Sequence, residues 1–231
     1  MKKKMELAMA VCLLLAAFIL ARQGAVLVQS ERAEEKKICI VVDAGHGGND
    51  PGKVGINNAL EKEINLALAL KLAELLEEKD IEVVLTRDSD TGLYPDNASN
   101  KKAADMQARC QIISEAAPIF TISLHQNSYP SAEVKGAQVF YYGQSKKGEA
   151  LAVILQESLV TRVDPENRRT AKANDSYYLL KKTPTPTVIV ECGFLSNPTE
   201  ADLLLDEDYQ NKLVRAIYMG ILEYLESESV L

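Results

Sequence analysis

Four short apolar runs limit what this chain can become. Residues 38–42 (ICIVV), 81–86 (IEVVLT), 119–124 (IFTISL) and 187–190 (TVIV) are rich in β-branched side chains and too short for buried helices. Such runs read as strands covered on both sides, the pattern of parallel sheets. Helical stretches lie between them. In residues 61–79, Ile64, Leu68, Leu72, Leu75 and Leu76 recur at helical spacing and form one apolar stripe. Residues 101–117 form a second helix stopped by Pro118, residues 145–161 a third and residues 209–224 a last, amphipathic one. Residues 136–142 read as a further strand and residues 162–175 as polar and irregular. Strands alternating with helices predict a single α/β domain with a mainly parallel sheet and helices on both faces.

In open α/β sheets, ligands bind beyond the carboxyl ends of the strands. The first run exits into DAGHGG, where His46 sits among Gly45, Gly47 and Gly48. Glycines there let the backbone crowd against a ligand or metal. The chain has only 2 histidines, and the second, His125, directly follows the third run. Arg87 follows the second run and Glu191 the last, while Glu61 opens the helix that starts from the first strand's rim. His46, Glu61, His125 and Glu191 are therefore expected to meet at one edge of the sheet. Two imidazoles and a carboxylate, with a fourth position open, make a catalytic zinc site. Magnesium or calcium would take more oxygen ligands. Zinc acidifies a water and polarises a carbonyl, and a carboxylate off the metal can carry the proton to a leaving amine. Glu191, at the end of a rigid strand, suits that task.

Each of these residues also has a plainer explanation. Glu61 and Glu63 both lie in a helix's first turn, where the dipole alone favours acids, and spacing does not choose between them. Arg87 can pair with Asp88 or Asp90 at the surface. Asn127 can stabilise the turn after His125. Arg109, in mid-helix, reads as solvated or salt-bridged.

Composition excludes several functions. The net charge is −7, and the first 23 residues carry Lys2, Lys3, Lys4 and Arg22 against Glu6 alone, so the rest is more acidic still. An acidic body without tryptophan argues against nucleic-acid binding. Cys12, Cys39, Cys110 and Cys192 show no CxxC spacing, and Cys12 lies in the N-terminal apolar segment, so neither a disulfide framework nor a cysteine zinc site is expected. The other three read as small buried residues, Cys192 included, because a nucleophilic cysteine needs a free histidine. A basic start followed by the apolar run 7–21 reads as an export signal, with membrane anchoring possible because no clean cleavage site follows. The expected organisation is a signal or anchor at 1–23, a linker at 24–36, the catalytic domain at 37–226 and a tail at 227–231, in a protein exported across the cytoplasmic membrane.

DAGHGG, PGKVGINNALEKEINLALAL, SLHQNS and VIVECGFLSNPTEADLL, in that order, resemble the motif blocks of the zinc-dependent N-acetylmuramoyl-L-alanine amidases of bacterial cell-wall turnover. The resemblance covers residues 37–225. It implies that His46, Glu61 and His125 bind one Zn2+ per chain, choosing Glu61 over Glu63, and that Glu191 is the catalytic carboxylate. It implies a twisted, mixed sheet flanked by helices, and cleavage of the amide between the lactyl group of N-acetylmuramic acid and L-alanine in peptidoglycan. Asn127 and Arg87 are further expected to hold the substrate. LTRDSDTGLYP, GAQVFYYGQS and YQNKLVRAIYMGILEYL resemble the germination-specific type, which strips stem peptides in the spore cortex so that muramic-δ-lactam can form. Cys192 and Ser128 depart from the residues usual at their positions, without removing a ligand.

Two other readings compete. A non-catalytic peptidoglycan-binding relative would be expected to lack a ligand or the acid, and all four residues are present. A zinc peptidase cutting within stem peptides shares the metal chemistry and differs only in product.

Overall fold

The computed structural model describes residues 38–230, with residues 13–22, Lys2, Met5 and Met9 from the N-terminal segment. The chain divides into two compact units, Met1–Lys37 and Ile38–Leu231. In the first, residues 13–22 are helical. The expected linker at 24–36 and much of the expected export signal lie outside the described residues. No helix among the described residues is long and apolar enough to cross a membrane.

The second unit is built on six strands: β1 (Cys39–Ala44), β2 (Glu82–Leu85), β3 (Phe120–Asn127), β4 (Gln138–Tyr141), β5 (Lys172–Ala173) and β6 (Thr187–Phe194). They form one sheet in the order β2-β1-β3-β6-β4-β5. β2, β1, β3 and β6 run parallel, β4 is antiparallel to β6, and β5 is parallel to β4. The helices are α1 (Glu61–Glu77), α2 (Lys101–Ala116), α3 (Lys146–Arg162), α4 (Tyr178–Lys182), α5 (Pro198–Leu203) and α6 (Glu207–Ser227). Mixed but mainly parallel, with helices on both faces, this is the expected α/β architecture.

Side chains alternate across a strand, so each strand feeds two different environments. Ile40, Val42 and Ala44 of β1, Phe120, Ile122 and Leu124 of β3, and Val188, Val190 and Cys192 of β6 join one large apolar core. α1, α3 and α6 close it with Leu68 and Leu72, Leu151 and Leu155, and Ile217 and Ile221. The intervening residues, Val41, Asp43, Thr121, Ser123, His125, Ile189 and Glu191, belong to the other face, covered by α2 and α4. Side-chain caps fix the starts of α2, α3 and α6: Asn100, Ser145 and Asp206 each accept a bond from the backbone N–H three residues on. α2 ends at Ala117, whose left-handed φ of 43° turns the chain before Pro118.

Three strands, β1, β3 and β6, overrun their expected ends. β1 includes Asp43, expected to stop it, and β3 and β6 continue through His125 and Glu191. Pairing explains this: Asp43 stands opposite Ser123 and His125 opposite Glu191, so polar side chains occupy ladder positions that keep their backbone bonds. α4, α5 and β5 are too short to show a period. α5 nevertheless has a local signal, the Asn197 cap with Pro198 in the first turn and Glu200 in third position.

Candidate metal centre and active site

The loop after β1 is held from behind. Gly45 packs so closely on the His125 ring that any Cβ there would overlap it. His46 takes a left-handed φ of 62°, which a non-glycine residue keeps only when its surroundings enforce it. Two arginines do so. Arg109, 2% exposed, donates from Nη2 to the His46 carbonyl (2.7 Å) and from Nη1 to the Ala44 carbonyl (2.8 Å) and to Asp43 (2.5 Å). Arg87, 4% exposed, donates to the carbonyls of Ala44, Gly45, Lys62 and Ser89. Asp43 also accepts from Thr86 and Ser123. Burial alone would raise its carboxyl, but Arg109 and the hydroxyls prevail and hold it at about 2.

On that platform three donors converge. The Glu61 carboxylate, 2% exposed, places Oε1 2.9 Å from His125 Nδ1 and 3.2 Å from His46 Nε2. Candidate ligand atoms of the three residues all lie within 4.8 Å of one another. The backbone N–H of Lys53 donates to Glu61 Oε2 (2.7 Å) and that of Gln126 to Oε1 (3.1 Å). Burial works against ionisation of Glu61, yet the contacts with His125 and His46 hold its carboxyl well below the usual range. Asp50 Oδ2 lies 3.0 Å from His46 Nδ1, the carboxylate–imidazole arrangement that turns the other ring nitrogen outward as a ligand. His46 is raised despite its burial, by Glu61 and then Asp50. Two imidazoles, one ionised carboxylate and a supporting carboxylate, opening on a cavity, can hold a metal ion. The donor set suits zinc.

Glu191 lies beside this trio, opposite His125 on the neighbouring strand and 7% exposed. Burial pushes its carboxyl above the usual range. Its Oε2 has no hydrogen-bond partner among the described residues, and its Oε1 stands 3.5 Å from the Tyr177 hydroxyl. The Tyr177 phenol is pushed up to about 12, by burial first and then by Glu191. His46, Glu61, His125, Asn127 and Glu191 all line one cavity of about 390 Å³.

The structure sorts the remaining expectations. Glu63 is exposed, so geometry singles out Glu61. Asn127 lines the cavity while its Oδ1 accepts the Ser128 N–H, so it serves the turn as well. Arg87 is neither a surface ion pair nor part of the cavity wall; it braces the loop. Arg109 is salt-bridged, to Asp43 and Asp105, and buried. Cys192 is buried on the apolar face and its thiol is pushed up by burial, while Cys39 and Cys110 are only half-buried; all three are free. Asp43, Asp50 and Tyr177 are the residues that sequence reading missed. A charged Asp43 closing an apolar strand and a carboxylate four residues after His46 were the available signals.

The family model of the N-acetylmuramoyl-L-alanine amidases matches residues 40–223. The chain belongs to this family of hydrolases. Within it, the chain is 39% identical over 188 residues to the germination-specific N-acetylmuramoyl-L-alanine amidase of Bacillus subtilis (strain 168), covering 80% of this chain and 78% of that one. Among solved structures it is similar to the CwlD amidase of Clostridioides difficile, determined in complex with the GerS lipoprotein. There the TM-score is 0.80 and the identity 41%, over 83% of this chain and 100% of that one. It is also similar to the amidase AmiC2 of Nostoc punctiforme, with TM-score 0.71 and 32% identity over 82% and 97% of the two chains.

Proposed function

We propose that this chain is a zinc-dependent amidase that cleaves the bond between the lactyl group of N-acetylmuramic acid and the L-alanine of the stem peptide in peptidoglycan. The observation that carries this reading is the Glu61 carboxylate between His46 and His125, with Glu191 opposite His125 in the same cavity. Held by His46, Glu61 and His125, zinc supplies Lewis acidity and lowers the pKa of a water to near neutrality. The chain's own residues do the rest. Asp50 fixes the His46 ring, and the contacts to Glu61 keep its carboxylate ionised. Glu191 takes a proton from water as the water oxygen bonds to the lactyl carbonyl carbon. It returns that proton to the alanine nitrogen as the C–N bond breaks, leaving a lactyl carboxylic acid and a free amine. Burial of Glu191, which favours its protonated form, suits a group that must hold a proton between the two steps. Asn127 is assigned to substrate positioning and Arg87 to bracing of the loop.

The germination-specific relative supports a role in the spore cortex, where removal of stem peptides precedes muramic-δ-lactam formation. The basic start and apolar run support export, with residues 1–23 as signal or anchor, 24–36 as linker and 37–226 as the catalytic domain. The solved complex of CwlD with a lipoprotein supports a protein partner of that kind. The test is mass spectrometry of purified peptidoglycan after incubation with the zinc-loaded protein. The reading expects stem peptides with a new N-terminal alanine beside bare muramic acid. Cuts inside the peptides would make it a peptidase, and intact peptidoglycan would overturn the proposal.

A further inference from the structure

The cavity contains cations that the metal chemistry does not use. Its acids are committed: Asp43 and Asp105 to Arg109, Asp50 to His46, Glu61 to His46 and His125, and Glu191 to proton transfer. Two of its cations are not. Lys53 and Lys102 line the cavity, are exposed, and have no side-chain hydrogen-bond or ion-pair partner among the described residues. The position of Lys53 is tied to the metal centre, because its N–H donates to Glu61 Oε2 and its carbonyl accepts the Glu61 N–H (3.0 Å). Lys102 comes from a different element, the start of α2. There the cleft continues: Lys102, Met106 and Tyr178 line both the main cavity and a neighbouring one of about 300 Å³ that runs past Ala103 and Gln107. A chain leaving the reaction centre along this path passes an apolar wall of Met106 and Tyr178 and meets an unpaired ammonium.

Given the amidase reading, on which this inference rests, the departing chain is the stem peptide. We propose that Lys102, aided by Lys53, selects stem peptides that carry a free carboxylate on the residue after the scissile alanine. The ligand class is an acidic L-alanyl peptide, such as one continued by D-isoglutamate, as opposed to its amidated D-isoglutamine counterpart. The lysines touch substrate away from the reacting atoms, so they set specificity.

The test compares two synthetic N-acetylmuramoyl peptides that differ only in carboxylate or carboxamide at that residue. They are cleaved by the zinc-loaded full chain and by its Lys102→Gln and Lys53→Gln/Lys102→Gln forms. The wild type should prefer the carboxylate by about tenfold in kcat/KM, chiefly through KM, with the preference shrinking as salt rises. The double substitution should bring the two peptides level. Equal use of both peptides by the wild type, or a loss in the variants that falls equally on both, would overturn the assignment. Cleavage of neither peptide by the wild type would instead overturn the amidase reading and the inference with it, an outcome separable from loss of preference.

Discussion

The two faces of the sheet are built from the same strands and do opposite work. Toward α1, α3 and α6, alternate residues of β1, β3 and β6 are apolar and fully buried, forming one continuous core. Toward α2 and α4, the residues between them are Asp43, Thr121, Ser123, His125 and Glu191, with only small apolar clusters around Val41 and Phe140. The first face is stabilised by removal of apolar surface from water and tolerates exchange of similar side chains. The second face consists of buried polar groups whose worth depends on every partner being present. A stable scaffold on one side therefore allows a costly arrangement on the other: a left-handed His46, a buried Arg109 and a Glu191 oxygen without a partner among the described residues.

Substitutions should separate the faces. Glu191→Ala should lower kcat by about 10²–10⁴-fold, the usual worth of a general acid–base group, with melting temperature and zinc content retained. Leu124→Ala, one residue from His125 but pointing into the core, should do the reverse. A cost of about 2–5 kcal/mol in unfolding free energy is expected by denaturant titration, with kcat preserved while the protein remains folded. A large loss of turnover in folded Leu124→Ala would break the division between faces. A smaller effect is expected for Asp50→Asn, which leaves His46, Glu61 and His125 in place and should weaken zinc binding by about 10–100-fold in a chelator competition.

The smallest effect is in the pH dependence of stability. Asp43 is held at about 2 in the fold against an ordinary value of 3.8, so its contribution is present above about pH 4 and disappears as pH falls toward 2. Asp43→Asn should be less stable than the wild type at neutral pH, with the gap closing across that window. A gap that stays constant down to pH 2 would show that the carboxylate's charge plays no part in bracing the loop.

The same division explains what could be read from the sequence. The apolar runs and the stripe from Ile64 to Leu76 announce the first face, because burial imposes a period on the residues. The carboxyl ends of the apolar runs bring His46, His125 and Glu191 to one cavity, since the carboxyl edge of a parallel sheet follows from topology. The second face left only isolated signs. Asp43 and Arg109 are 66 positions apart, and nothing local to either says that they form one buried pair. Arg87 resembles any surface arginine until its four carbonyl partners, from separate parts of the chain, are assembled around it. Glu61 and Glu63 are indistinguishable by helix position alone, and burial of one with exposure of the other decides between them. Short α4, which carries Tyr178 and follows Tyr177, has too few residues to register a period at all.

Glu61 for metal binding and Glu191 for proton transfer make a division of labour between two carboxylates in one cavity. It is tested most directly by measuring zinc bound per chain, by elemental analysis after dialysis, in the wild type, Glu61→Ala and Glu191→Ala. One zinc is expected in the wild type and in Glu191→Ala, which nevertheless fails to release stem peptides, and none in Glu61→Ala. Loss of zinc from Glu191→Ala, or full retention by Glu61→Ala, would contradict it.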